Sequence, residues 1–155
     1  MFDQVFGLPA HALLVHAAVI FAPLLAVLSV AYAALPRLRH KLDLALVATA
    51  VLALGSVYAA KQSGEALERR LFQGRPSGPI EVHSGFGETL LQATVPLTVV
   101  ALAMVWLTRA RRAPEGTGSR VGVLVVSAAA VILAVVVGYY AVRTGHTGAT
   151  AVWGR

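Results

Sequence analysis

The chain of 155 residues contains no cysteine, and only 13% of its residues are charged. The absence of cysteine excludes disulfides, thiolate metal sites, iron–sulfur clusters and thioether-attached haem. Soluble domains carry about a quarter charged residues, so this low fraction together with 57% hydrophobic residues indicates a chain that lies in lipid. The formal net charge of +6 is explained by basic residues that flank membrane helices, and we do not expect nucleic acid as a partner.

Four apolar runs are each long enough to cross about 30 Å of hydrocarbon as a helix. A soluble bundle is excluded because the runs lack a polar outer face. The first run is too long for a secretory signal peptide and follows no basic residue, so we expect it to be retained. The sequence predicts one all-α domain over residues 1–155, an integral membrane four-helix transmembrane bundle whose two hairpins are candidates for pseudo-symmetry. The predicted spans lie at about residues 10–35, 42–60, 86–108 and 121–142.

The distribution of basic residues predicts the orientation of the bundle. Basic residues far exceed acidic ones in the loops 36–41 and 109–120, whereas the two signs nearly balance on the opposite side. Short loops rich in Lys and Arg stay in the cytoplasm. We therefore expect both termini to face outward.

Histidine is the main metal-capable residue type left in the chain. His40 lies in the basic inner loop and is interpreted as a solvated interfacial residue, whereas the other four histidines map to the predicted outer side. Ionisable residues at membrane depth are costly and indicate function, and neutral imidazole is the commonest metal ligand in proteins. The sequence therefore predicts a functional cluster of four histidines, namely His11, His16, His83 and His146.

The spacing of these histidines favours different roles for them. Five residues rotate a helix by about 140°, so His11 and His16 do not share a face. One histidine from each of two facing helices is the arrangement that six-coordinate haem b requires. We expect His16 and His83 to be the preferred axial pair, because His16 is the deepest and glycines next to His83 let a flat ligand approach. His11 and His146 are then a second pair or orient the ligands.

Several alternatives remain open for the charged residues near this cluster. Arg70 and Arg143, with two further outer arginines, are candidates to pair with haem propionates, or they reach the lipid headgroups as interfacial arginines do. A Zn or Cu site would use three or four of the imidazoles, with Glu81 or Glu88 as an oxygen ligand. Glu88 is otherwise a proton carrier or the partner of Lys61.

The segment 7–16, followed by an apolar run, resembles the opening of a bacterial membrane family known as domain of unknown function 2231, with Ala12 where its members tend to have proline. The likeness continues at residues 63–68, 83–88 and 145–154. It implies a bacterial inner-membrane protein and carries the family's histidine positions onto the same four histidines. Some relatives are fused to cytochrome-type or Rieske-type domains, which implies electron transfer near the outer surface.

The leading hypothesis is a membrane-embedded b-type cytochrome-like electron-transfer subunit with a redox partner at its outer surface. No catalytic residues are predicted, so the chain is expected to be an electron carrier rather than a stand-alone enzyme. The lipid bilayer is its main partner, and small residues on the second and fourth helices permit a homo-oligomer. The alternative is a non-redox scaffold or assembly subunit whose histidines bind Zn or only each other.

Overall fold

The computed structural model describes residues 4–5, 8–73, 75, 78–112 and 119–154. The parts of the predicted loops at residues 74, 76–77 and 113–118 lie outside the described residues, as does Gly7. Two short strands pair antiparallel before the first helix. The elements in chain order are β1 (Gln4–Val5), β2 (Leu8–Pro9), α1 (Ala10–Ala34), a 3-10 helix (Pro36–Leu38), α2 (Arg39–Phe72), α3 (Pro79–Arg112) and α4 (Arg120–Trp153).

All four helices are long and apolar enough to cross a membrane, which confirms the predicted all-α four-helix transmembrane bundle. α2, α3 and α4 each have 34 residues and are therefore about 50 Å long. These three helices extend well beyond the apolar runs. The charged residues that end an apolar run can still be good helix formers, so the helix continues past the run. The last part of α2, residues 65–72, is rich in Glu, Ala, Leu and Arg, which are strong helix formers.

The helix ends follow local chemistry. Pro79 is the first residue of α3, a position where a missing N–H costs nothing. Ser119 caps α4 by accepting a hydrogen bond from the Gly122 backbone N–H at 3.3 Å. Pro23 and Pro96 lie inside α1 and α3, and both helices continue through them.

The helices form a closed bundle in which each one packs against its sequence neighbours and α4 packs back against α1. The most extensive packing lies within the α1–α2 and α3–α4 hairpins. α1 and α3 are therefore diagonal to each other. Small residues in the core let the backbones approach closely; the fully buried alanines include Ala22, Ala50, Ala53 and Ala101.

The up-and-down order places the N-termini of α1 and α3 at the same end as the C-termini of α2 and α4. We call this the histidine end, because it carries His11 and His83. The opposite end carries Arg39, Arg109 and Arg112, and we call it the arginine end. Between the two ends, apolar side chains such as Ile20 and Val27 are exposed, as a surface in contact with lipid tails requires.

Candidate functional site

The structure brings two of the predicted histidines together across the bundle. The imidazole rings of His11 and His83 have their centres 6.3 Å apart, with 74° between the ring planes. Both side chains are half-buried. Because they come from the diagonal helices α1 and α3, the pair spans the histidine end of the bundle.

His11 is fixed by the neighbouring helix α2. Its Nδ1 lies 2.9 Å from the Ala60 carbonyl oxygen, and since a carbonyl only accepts, Nδ1 carries the hydrogen and donates it. The Ser63 hydroxyl donates to the same carbonyl at 2.9 Å and lies 3.3 Å from Nδ1. The imidazole of α1 is therefore oriented by one turn of α2.

His83 is fixed by α4 in the same way. Its Nδ1 donates to the Thr144 carbonyl oxygen at 3.0 Å and lies 3.4 Å from the Thr147 hydroxyl. That hydroxyl lies 3.2 Å from the Thr144 carbonyl. Each hairpin therefore contains the same arrangement of one imidazole, one carbonyl and one hydroxyl three residues further on.

Glycine completes each arrangement, one residue after the hydroxyl. A Cβ on Gly64 would lie 3.0 Å from Cε1 of His11, and a Cβ on Gly148 would lie 2.9 Å from Cε1 of His83. These distances are shorter than ordinary van der Waals contact, so each ring lies directly on the glycine backbone. We call these two contact positions, Gly64 with His11 and Gly148 with His83, the glycine seats.

The chemical consequence concerns the second ring nitrogen. A neutral imidazole that donates from Nδ1 keeps a lone pair on Nε2, and a hydrogen bond from Nδ1 to a carbonyl is how metal-binding histidines are commonly oriented. Among the described residues, no three His, Asp or Glu side chains converge as a metal-binding group. The site thus offers two oriented imidazole nitrogens, not a cage of three or four ligands.

The other predicted histidines lie elsewhere on the surface of the same end. His16 is exposed, and its Nδ1 is hydrogen-bonded to the Ala12 carbonyl of its own helix. His146 is exposed on α4. The structure therefore places His11 beside His83, where the sequence favoured His16. The reason is the five-residue spacing on α1, which turns His16 to a different face.

Charged residues around the site pair between helices. Lys61 on α2 forms salt bridges with Glu65 and, at 2.8 Å, with Glu88 on α3, so the pairing of Glu88 with Lys61 is found. The Arg143 guanidinium lies 4.9 Å from the centre of the Phe86 ring, a cation–π contact between α4 and α3. Arg70 is exposed near the end of α2.

Sequence reasoning missed the carbonyl, hydroxyl and glycine partners of the two histidines. The sequence pattern that could have revealed these partners occurs in both α2 and α4. A Ser or Thr lies three positions after the residue whose carbonyl accepts the hydrogen bond, and a glycine comes directly after that Ser or Thr. The positions are Ala60, Ser63 and Gly64 in α2, and Thr144, Thr147 and Gly148 in α4.

A buried polar network at the arginine end was also missed. The Asp43 carboxylate is only 8% exposed and accepts hydrogen bonds from the Tyr32 hydroxyl at 2.6 Å, Arg109 Nε at 3.0 Å and Arg112 Nη1 at 2.9 Å. The Thr108 hydroxyl lies 2.6 Å from the Tyr32 hydroxyl. This network joins α1, α2 and α3. The sequence feature that could have revealed this network is the carboxylate of Asp43 at the edge of an apolar run.

Comparison with known proteins agrees with the architecture. A family model described as "Predicted membrane protein (DUF2231)" matches residues 7–155, which include all four helices and both glycine seats. No curated protein and no solved structure matches the chain. Because the family model spans nearly the whole sequence, the chain belongs to the DUF2231 family of predicted membrane proteins.

Proposed function

We propose that this protein is a b-type cytochrome-like electron-transfer subunit that holds haem between His11 and His83. The observation that carries the proposal is the pair of imidazoles 6.3 Å apart, each with Nδ1 donated to a helix carbonyl. This pair replaces the sequence-based pair of His16 and His83, because His16 lies away from His83 on another face of α1.

The distance between the ring centres is close to the distance at which two histidines would hold one metal ion between them. A metal–imidazole bond is about 2.0–2.1 Å and the ring centre lies about 1 Å further along, so two ligands in line span about 6 Å between ring centres. The rings of His11 and His83 match that span and come from diagonal helices. The carbonyls of Ala60 and Thr144 hold each ring in one tautomer, as a pre-organised ligand pair requires.

The number of donors favours haem over a zinc or copper ion held by protein alone. Structural zinc takes four protein ligands and catalytic zinc takes three, whereas haem brings four nitrogens of its own and asks the protein for two. Among the described residues the site supplies two. Thr144, whose carbonyl orients His83, also has a buried side-chain hydroxyl without a hydrogen-bond partner in the described part of the chain.

When bound, haem supplies reversible one-electron transfer. The residues of this chain would hold and tune it. His11 and His83 would donate the Nε2 lone pairs, and their carbonyl partners would raise the basicity of the rings. The core of the bundle is apolar and rich in alanine, and it would give a haem bound next to it a low local dielectric. Arg143, held over Phe86, is the candidate cation for a propionate.

A second candidate function is a non-redox membrane scaffold, and one observation favours it. Each histidine already links two helices, His11 joining α1 to α2 and His83 joining α3 to α4, through hydrogen bonds that need no ligand. In that case the rings close the histidine end of the bundle and the lone pairs on Nε2 have no partner metal.

Optical spectroscopy on the purified protein, expressed with ample haem, separates the two functions. The cytochrome proposal predicts about one haem per chain, a Soret band and a dithionite-induced alpha band typical of a six-coordinate low-spin centre. A correctly folded protein that shows neither band, with or without added haemin, would refute the cytochrome and leave the scaffold.

Variants of single histidines then test the ligand pair. His11→Ala and His83→Ala should each lose the low-spin spectrum, and added imidazole should restore it, an effect that a merely structural role does not produce. The matched controls are His16→Ala and His146→Ala, which remove exposed histidines from the same end and should leave the spectrum intact. If His16→Ala abolishes the spectrum while His11→Ala preserves it, the pair proposed here is wrong.

The location that goes with this function is a bacterial inner membrane, with the histidine end and both termini facing outward toward a redox partner. Because the chain has no native cysteine, single cysteines report sidedness without background. We expect Val152→Cys, exposed at the histidine end, to react in intact spheroplasts with a maleimide that cannot cross the membrane. Leu38→Cys, exposed at the arginine end, should react only after permeabilisation, and the reverse pattern would invert the topology.

A further inference from the structure

A small cavity lies at the arginine end, away from the histidines. Its volume is about 200 Å³, and it is lined by Pro36, Arg39, Thr108, Arg111 and Arg112. Three of these five residues are arginines. Guanidinium groups around one cavity are the donor set that proteins use for phosphate and carboxylate groups.

Two of the arginines are held in place by the protein itself. Arg39 donates from Nε to the Tyr32 carbonyl at 2.8 Å and from Nη2 to the Ala33 carbonyl at 3.0 Å, which are among the last carbonyls of α1. Arg112 donates from Nη1 to Asp43 at 2.9 Å. These bonds fix both guanidinium planes at the cavity before any ligand arrives, which lowers the entropy cost of binding.

The charge balance around the cavity is strongly positive. Asp43 is the one acidic side chain among the described residues of the arginine end, and its carboxylate is already engaged by Arg109, Arg112 and Tyr32. Arg39 and Arg111 have no acidic partner among the described residues. Among the described residues, positive charge therefore exceeds negative charge around the cavity, which favours an anion as its ligand.

Exposed apolar side chains lie on the connection between α1 and α2, close in sequence to Pro36 of the cavity lining. Leu35 and Leu38 are 46% and 41% exposed. At the end of a membrane-spanning bundle, an arginine-lined cavity together with exposed leucines matches a molecule with a phosphate group next to acyl chains.

We propose that this cavity is a binding site for a phosphate group, either that of an anionic phospholipid headgroup or that of a soluble phosphate compound. Arg39 and Arg112 act as fixed donors, and the exposed Arg111 closes over the phosphate oxygens. The site is independent of the proposed haem site, which lies at the other end of the bundle.

Native mass spectrometry of the detergent-purified protein tests the proposal. We expect added phosphatidylglycerol to be retained more strongly than phosphatidylcholine of the same chain length. Arg111→Gln should reduce retention of phosphatidylglycerol by about fivefold, the effect of removing one basic residue that contacts an anionic headgroup. Arg37→Gln is the matched control, because it removes an exposed arginine of the same end that does not line the cavity.

Competition with inorganic phosphate separates the two sources of the ligand. If phosphate binds and displaces the lipid, the cavity recognises the phosphate group alone and also accepts soluble phosphate compounds. If phosphatidylglycerol is retained selectively and phosphate does not compete, the ligand is the lipid. If phosphate binds while phosphatidylglycerol is not preferred, the ligand is a soluble anion. Absence of both selectivity and phosphate binding, or an equal loss in Arg37→Gln and Arg111→Gln, would overturn the site.

Discussion

The two ends of the bundle are built by different principles. At the histidine end, each hairpin supplies the same set of groups, an imidazole lying on a glycine and hydrogen-bonded to a carbonyl. At the arginine end, the polar network is charged and joins α1, α2 and α3 around the single carboxylate of Asp43. The difference shows that the histidine end orients two imidazoles through backbone carbonyls, whereas the arginine end joins three helices through a buried charge.

The sharpest way to test this comparison is to remove the buried charge. Asp43→Asn leaves Tyr32, Arg109 and Arg112 without their carboxylate. Since the two arginines are partly exposed and can be resolvated, we expect a loss of about 2–3 kcal/mol, at or below the lower end of the range for breaking a buried ion pair. The measurement is the unfolding free energy in mixed detergent micelles. A loss below about 0.5 kcal/mol would show that the network does not stabilise the bundle.

The glycine seats give the next largest effect. Gly64→Ala and Gly148→Ala place a methyl group about 3 Å from an imidazole, so each should displace its ring and weaken or abolish the low-spin haem spectrum. Gly55→Ala and Gly138→Ala are the matched controls on the same two helices, because a Cβ at those positions meets no atom within 4 Å. The controls should leave the spectrum unchanged and stabilise the helix by up to about 1 kcal/mol.

Equal spectral losses in Gly64→Ala and Gly148→Ala would show that the two seats are equivalent in function as well as in geometry. A loss confined to one of them would mean that only that hairpin positions an axial ligand. If neither variant differs from its control, the contact between ring and glycine has no part in the site.

The smallest effect is expected from the surface charge at the histidine end. Glu88→Gln removes one carboxylate, as Asp43→Asn does, but its salt bridge to Lys61 is 46% exposed on the glutamate side. Such pairs contribute about 0–1 kcal/mol. At high salt, we expect the unfolding free energy of Glu88→Gln to be close to that of the parent protein measured in the same buffer. A loss of unfolding free energy as large as that of Asp43→Asn would contradict the proposed difference between the two ends.

The architecture was predictable because every backbone N–H and C=O group in the hydrocarbon of the membrane must be hydrogen-bonded within the protein. Four long apolar runs without a polar face leave few options besides a helix bundle. The ends of α2, α3 and α4 were less predictable, since beyond the hydrocarbon only propensity and capping decide where a helix stops.

The candidate site was predictable only in part. Topology alone grouped four histidines at one end, and the rotation between His11 and His16 was foreseen. Which of the two would face His83 depends on the rotation of α1 about its axis, and that rotation is set by packing against α2 and α4. The buried role of Asp43 was hidden because its arginine partners on α3, Arg109 and Arg112, are 66 and 69 residues away along the chain.

The matching seats in the two hairpins have a consequence for how such a site can arise. α1 and α3 run in the same direction, so the relation between the hairpins is an approximate two-fold rotation about an axis along the membrane normal. A single hairpin with one histidine and one glycine seat, paired with a second copy of itself, would present both imidazoles in equivalent positions. In a single chain the two hairpins need not be identical, and they differ at Lys61 and Gly145, each one residue after its carbonyl position.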